Sequence, residues 1–120
     1  MDDLKLCESD YRFMCVIWDN EPVQSGRLVE LCSDKLGWKK STTYTTLKKL
    51  VEKGFAQNDN TVVSSLVEKE KVCHAASEHF VEHTFHGSLP GFLVSFLGNK
   101  KISDAEAEEL KRLIDEHRKE

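Results

Sequence analysis

The sequence predicts a mainly α protein with a small β wing: a winged helix-turn-helix domain followed by a C-terminal helical dimerisation region. Three observations predict it. Residues 38–55, WKKSTTYTTLKKLVEKGF, read as a helix whose two sides are made differently, one apolar and one of hydroxyls and ammonium groups. Two shorter helical patterns precede this segment and a hairpin pattern follows it. Beyond the hairpin the helical patterns return, with faces too apolar to remain in water.

Each element has its own warrant. Helix one is expected from about residue 9 or 10 to residue 20, with Ser9 as N-cap and Tyr11, Met14, Ile17 and Trp18 as its apolar stripe. Glu21-Pro22 breaks that pattern. Helix two follows from about Gln24 to Leu36, with Leu28, Leu31, Cys32 and Leu36 inward; Gly37 ends it, and Trp38 is expected in the core beside the turn. Helix three places Thr43, Leu47, Leu50 and Val51 at i, i+4, i+7 and i+8, the stripe of a helix docked on a core. Gly54 stops it by allowing a left-handed C-cap. Three short helices joined by tight turns make a helix-turn-helix arrangement. Residues 55–58 and 61–66 are two extended stretches around Asp59-Asn60, a turn-favouring pair, and such a hairpin directly after helix three is a wing. The wing contains no Lys or Arg, which leaves phosphate binding to helix three.

The C-terminal part reads as three helices. The first, from about residue 68 to residue 85, carries Val72, Ala76, Phe80 and Thr84 on one side, and His86-Gly87 breaks it. Ser88 caps a short helix with Pro90 in its first turn, where Leu89, Phe92, Leu93, Phe96 and Leu97 recur at helical spacing and form an almost wholly apolar face. Gly98-Asn99 ends it. The run Ser103-Asp104-Ala105-Glu106 is a capping box for the last helix, with Leu110, Leu113 and Ile114 inward. These faces cannot be buried by the helices that carry them. Either they fold back on the winged helix or they pair with a second copy; the second is expected, because a twofold dimer presents two recognition helices to a palindromic site. The domains so read are residues 1–67 for DNA binding and residues 68–120 for dimerisation.

Composition narrows the function. At 120 residues the chain fits one domain, or one with a small appendage, and its net charge of −4 argues weakly against nucleic acid. The distribution softens that objection: residues 1–66 carry nine basic and ten acidic groups, residues 67–120 eight and eleven. Around helix three, five lysines stand against Glu52 alone. Lys39 and Lys40 at its N-terminal end suit phosphates, helped by the helix dipole. Ser41, Thr42, Tyr44, Thr45, Lys48 and Lys49 supply base-edge, methyl or backbone contacts in a major groove. No apolar run is long enough to span a membrane and the N-terminus lacks the features of a signal peptide, so a cytoplasmic protein without direct membrane binding is expected. Cys7, Cys15, Cys32 and Cys73 have no metal-ligand spacing and read as structural or incidental thiols. His79, Glu82 and His83 match the H-x-x-E-H zinc-peptidase pattern, with His86 extending that face. The chain has no room for the domain such enzymes need to supply a third ligand and a substrate groove, so the histidines read as a solvated or interface face. No enzyme activity, no cofactor and no metal site are expected.

The arrangement as a whole resembles the penicillinase-repressor family, the BlaI/MecI type of bacterial transcriptional repressor, from about residue 9 to residue 113. The resemblance rests on Trp18, the spacing to Trp38, Thr42 with Thr45, and the run from Leu50 through Lys53-Gly54-Phe55. It continues through Ser65-Leu66-Val67, Phe80, Phe85-His86-Gly87-Ser88-Leu89, Ile102-Ser103 and Glu108-Glu109-Leu110. It implies an N-terminal winged helix that binds a dyad operator in double-stranded DNA, a homodimer formed by the C-terminal helices, and release by a signal. In the family's antibiotic-responsive members that signal comes from a membrane sensor-peptidase and the repressor is cut at an Asn-Phe bond. The matching pair here is Ser95-Phe96, with serine in place of the asparagine. Copper-responsive relatives carry C-terminal CxC pairs, whereas this chain has no cysteine after Cys73. The alternative is a winged-helix adaptor that binds protein and has no specific DNA target.

Overall fold

The core begins in α1 (Glu8–Asn20), where Phe13, Met14, Val16 and Ile17 are all buried. Four buried residues in five positions cover nearly half of a helix circumference. That fits a helix in contact with α2 (Ser25–Leu36), α3 (Lys40–Glu52) and the sheet together. In the computed structural model, which describes residues 4–119, Leu28, Leu31 and Cys32 of α2 and Leu47 and Leu50 of α3 complete this core with Phe55, Ala56 and Val63. Trp38 is partly buried and stacks on Phe13, ring centroids 5.6 Å apart. The chain is mainly α with a small three-stranded antiparallel sheet, as the sequence predicts.

Several boundaries differ from the sequence reading. Cys7, not Ser9, is the N-cap of α1, and no side-chain bond caps it; Ser9 lies inside the first turn. Helix α2 starts at Ser25, because Val23 and Gln24 form a short strand, β1, paired with Val63 and Val62. Two residues give no periodicity to detect. In α3 the buried positions are Thr43, Thr46, Leu47 and Leu50, while Val51 is exposed. Thr46 takes the place expected of Val51 because the helix is rotated slightly towards its threonine flank.

Helix α3 ends in a Schellman motif. The amide of Phe55 donates to the carbonyl of Leu50 at 2.9 Å and that of Gly54 to Val51 at 3.1 Å, with Gly54 at φ +86°. Leu50 and Phe55, both buried, make the apolar contact that goes with it. The hairpin that follows joins β2 (Ala56–Asp59) to β3 (Val62–Ser65) in the order β1-β3-β2. Asp59 pairs with Val62, so the turn is Asn60-Thr61 rather than Asp59-Asn60. Both turn residues have positive φ, 55° and 70°, the two-residue geometry that suits the strand twist.

Helix α4 (Lys69–Phe85) starts with Val72 buried in the core. The chain divides into two compact units, one ending at Phe80 and one beginning at Val81, so the division falls inside α4. The second unit holds α5 (Leu89–Leu97) and α6 (Asp104–Glu116), each capped as expected: Ser88 Oγ accepts from the Gly91 amide at 2.9 Å and Ser103 Oγ from the Glu106 amide at 3.1 Å. Neither helix has a buried residue. Leu110, Leu113 and Ile114, expected inward, are exposed in the single chain.

Two glycine substitutions test these local assignments with opposite signs. Gly54→Ala forces an L-residue into a left-handed conformation and should cost about 1 kcal/mol. Gly26→Ala, inside α2 with open space around the added carbon, should stabilise by roughly 0.4–1 kcal/mol. Urea denaturation midpoints of both variants check the pair.

Candidate nucleic-acid interface

A helix packed on one side has its other side chosen for it. With Thr43, Thr46, Leu47 and Leu50 buried, the residues opposite at roughly 100° per position are Ser41, Tyr44, Thr45, Lys48 and Glu52, all exposed. They form a ridge along α3 with hydroxyls first, an ammonium in the third turn and a carboxylate at the end. Thr42 and Val51 flank it, also exposed. At the N-terminal end Lys39 is the N-cap and, like Lys40, is exposed. No side chain caps this end, so the first-turn amides remain open to an anion. Thr43 is turned inward and donates its hydroxyl to the Lys39 carbonyl at 3.2 Å. Beneath it the Cys32 thiol is fully buried; burial pushes its pKa up, partly opposed by a hydrogen bond with Thr43.

Lys49 departs from the expected arrangement. Its Nζ lies 2.9 Å from Oδ2 of Asp10, a carboxylate in the first turn of α1 that is only 5% exposed. The hydrogen bond that its ammonium donates to Asp10 holds the lysine above its ordinary range, against a smaller opposing effect of burial. Nothing in the sequence marks this partner, because Asp10 has there the look of a solvated acid at a helix N-terminus. Tyr44 and Lys48 instead border a shallow groove shared with Leu47, Val51, Glu52 and Asn58 of β2.

The wing is tied down from behind. Glu21 accepts from the Ser65 amide at 2.7 Å and from the Ser65 hydroxyl at 2.9 Å. Trp18 Nε1 donates to the Val67 carbonyl at 2.9 Å, and the Ser25 amide donates to the Thr61 carbonyl at 2.9 Å. Its exposed residues, Gln57, Asn58, Asp59, Asn60 and Thr61, are polar and carry no positive charge.

Comparison with known proteins decides the affiliation. The penicillinase repressor family matches residues 6–116. The chain belongs to that family. Among its relatives are the methicillin resistance regulatory protein MecI of Staphylococcus epidermidis, 23% identical over 92% of this chain and 93% of the relative, and the penicillinase repressor of Bacillus licheniformis, 22% identical over 95% of this chain and 92% of the relative. Members of the penicillinase repressor family are DNA-binding transcriptional repressors rather than enzymes, and they typically act as dimers.

The remaining sequence motifs fall outside the α3 surface. His79, Glu82 and His83 lie on α4, and among the described residues no group of three or more His, Cys, Asp or Glu side chains is placed to hold a metal ion. Ser95 and Phe96 are exposed on α5, in helical backbone. No described helix is long and apolar enough to cross a membrane.

Two measurements test this geometry. Glu21→Ala removes a charged acceptor from the Ser65 amide and hydroxyl and should cost roughly 1.5–3 kcal/mol, read from urea midpoints. The Lys49–Asp10 pair raises the lysine pKa, so its stabilisation is complete below the ordinary lysine range and is lost as pH climbs through the raised value. The stability gap between wild type and Lys49→Met, followed from neutral pH upward, should therefore stay flat and narrow only in strong alkali.

Proposed function

We propose that the protein is a homodimeric transcriptional repressor that binds a palindromic operator through α3 and is released by a signal not yet identified. The observation that carries this reading is the α3 ridge, acid-free from its N-terminus through Lys48 and bordered by Lys39 and Lys40 at an open helix end. Lys39, Lys40 and Lys48 neutralise phosphates, and Ser41, Thr42, Tyr44 and Thr45 meet base edges, thymine methyls or the backbone. The short wing, which carries no positive charge, adds little to this. The DNA-binding part is residues 1–67 and the dimerisation part residues 68–120.

The dimer follows from solvation. Helix α5 contains no charged residue in its nine positions, and its Phe96 and Val94 are 57% and 74% exposed. Phe92 stacks on Phe96 at 5.8 Å and meets Phe85 edge-on at 5.6 Å, so the aromatic side chains are already ordered as a surface. Phe80, Leu89, Leu93, Leu97, Leu110, Leu113 and Ile114 supply further apolar area, which a second copy would cover. The Ser95-Phe96 bond lies on α5 next to the exposed Val94. Proteolysis there would require α5 to unwind and would destroy the dimer contact.

A gel shift with the chain's own promoter DNA tests the reading. Binding at low salt that weakens steeply with added salt supports it; no shift at low salt favours the protein-interaction adaptor. Lys48→Ala should weaken binding to all sequences alike and lower the salt slope by roughly one unit per protomer. Phe96→Asp should yield a monomer in analytical ultracentrifugation, with operator affinity lost in parallel.

A further inference from the structure

The seam between α1 and α3 holds the one carboxylate that is buried among the described residues, and no surface expected to touch DNA includes it. Asp10 is placed there by the first turn of α1, and Lys49 reaches it from the flank of α3 with 45% of its own side chain still in solvent. Lys49 stands one turn beyond Thr45, beside the ridge, where a free lysine could reach phosphate as Lys48 does. Cys7, the N-cap residue of α1, is the other titratable group that acts on its ammonium. The competition between the two anions is unequal. A carboxylate in a dry site cannot lose its cation without leaving a charge stranded in a low dielectric. A DNA phosphate is neutralised by mobile counterions when no lysine arrives.

We propose that Asp10 is a positioning residue that acts as an internal stand-in for a phosphate, holding Lys49 out of the DNA contact and so limiting sequence-independent affinity. The inference rests on the DNA-binding reading of α3 and refines it. A lysine that meets phosphate adds affinity for every sequence and makes release harder at every site. Held by Asp10, Lys49 leaves the ridge with fewer mobile cations than its sequence suggests.

The test compares the full-length wild type with Asp10→Asn and with the double variant Asp10→Asn/Lys49→Met, on the chain's own promoter fragment and on a shuffled duplex of equal length. Thermal melts establish that each variant is folded. Asp10→Asn keeps the shape and a hydrogen-bond acceptor but releases the ammonium. Its affinity should exceed wild type on both duplexes, and its salt slope should steepen by about 0.9 per protomer. Lowering salt from about 200 to 50 mM should then widen its advantage by about 3.5-fold per released ammonium. The double variant should bind with the wild-type slope, because Lys49 is absent from the contact in both. A merely structural seam would move stability and leave the slopes alone. The proposal is overturned if Asp10→Asn shows an unchanged or shallower slope, or if the double variant's slope is shallower than wild type. Failure of the DNA-binding reading looks different: wild type itself then binds neither duplex at low salt, which removes both readings together.

Discussion

What α3 can show to a partner is decided by what it buries. Thr43, Thr46, Leu47 and Leu50 must face the core that α1 and α2 supply, and that requirement fixes the rotation of the helix about its own axis. Ser41, Tyr44, Thr45 and Lys48 are then outward because no other orientation buries the stripe. The Schellman turn at Gly54 and the Asp10–Lys49 pair hold the two dimensions that packing leaves loose, the length of the helix and its angle to α1. The wing depends on the same helix, since Phe55 closes the turn on Leu50 and leads straight into β2. Loss of the α3 stripe would therefore remove core, turn and exposed ridge at once.

Much of this was legible in the sequence because helical periodicity and glycine punctuation are strong signals. The order of helices, the stop at Gly37 and Gly54, the Ser88 and Ser103 caps and the charge-poor wing all follow from them. Features hidden from the sequence are those with no period. Strand β1 is two residues long, and its pairing with β3 joins positions some forty residues apart. The wing turn moved by one residue because Thr61, unlike Asn60, gives no hint that it adopts a positive φ. Lys49 and Val51 illustrate a second limit. A stripe of roughly 100° steps leaves flanking positions undetermined, and tertiary partners decide them: Thr46 replaced Val51 in the core, and Asp10 took Lys49. The candidate contact residues are legible as chemistry, through their hydroxyls and ammonium groups, but not as individual contacts.

Charge and apolar surface are divided along the chain in a way that suits a two-part repressor. The winged-helix unit has a dry core and puts its polar ridge outward, while the C-terminal unit among its described residues has none fully buried and exposes its aromatic and aliphatic side chains. The proposed function gives that division a role, with one part for operator DNA and the other for a second copy. At identities of 22–23% the fold-making positions can persist while the ridge changes. On the proposed function, the operator is then read by this chain's own Ser41, Thr42, Tyr44, Thr45 and Lys48.

An amide NMR titration of the full chain with a promoter duplex separates the α3 surface from the C-terminal helices. The largest shift changes should fall on residues 39–48, led by the open first-turn amides of α3, with small changes in the wing and none that single out α6. Perturbations concentrated on α4 to α6, with α3 unaffected, would contradict DNA binding through α3.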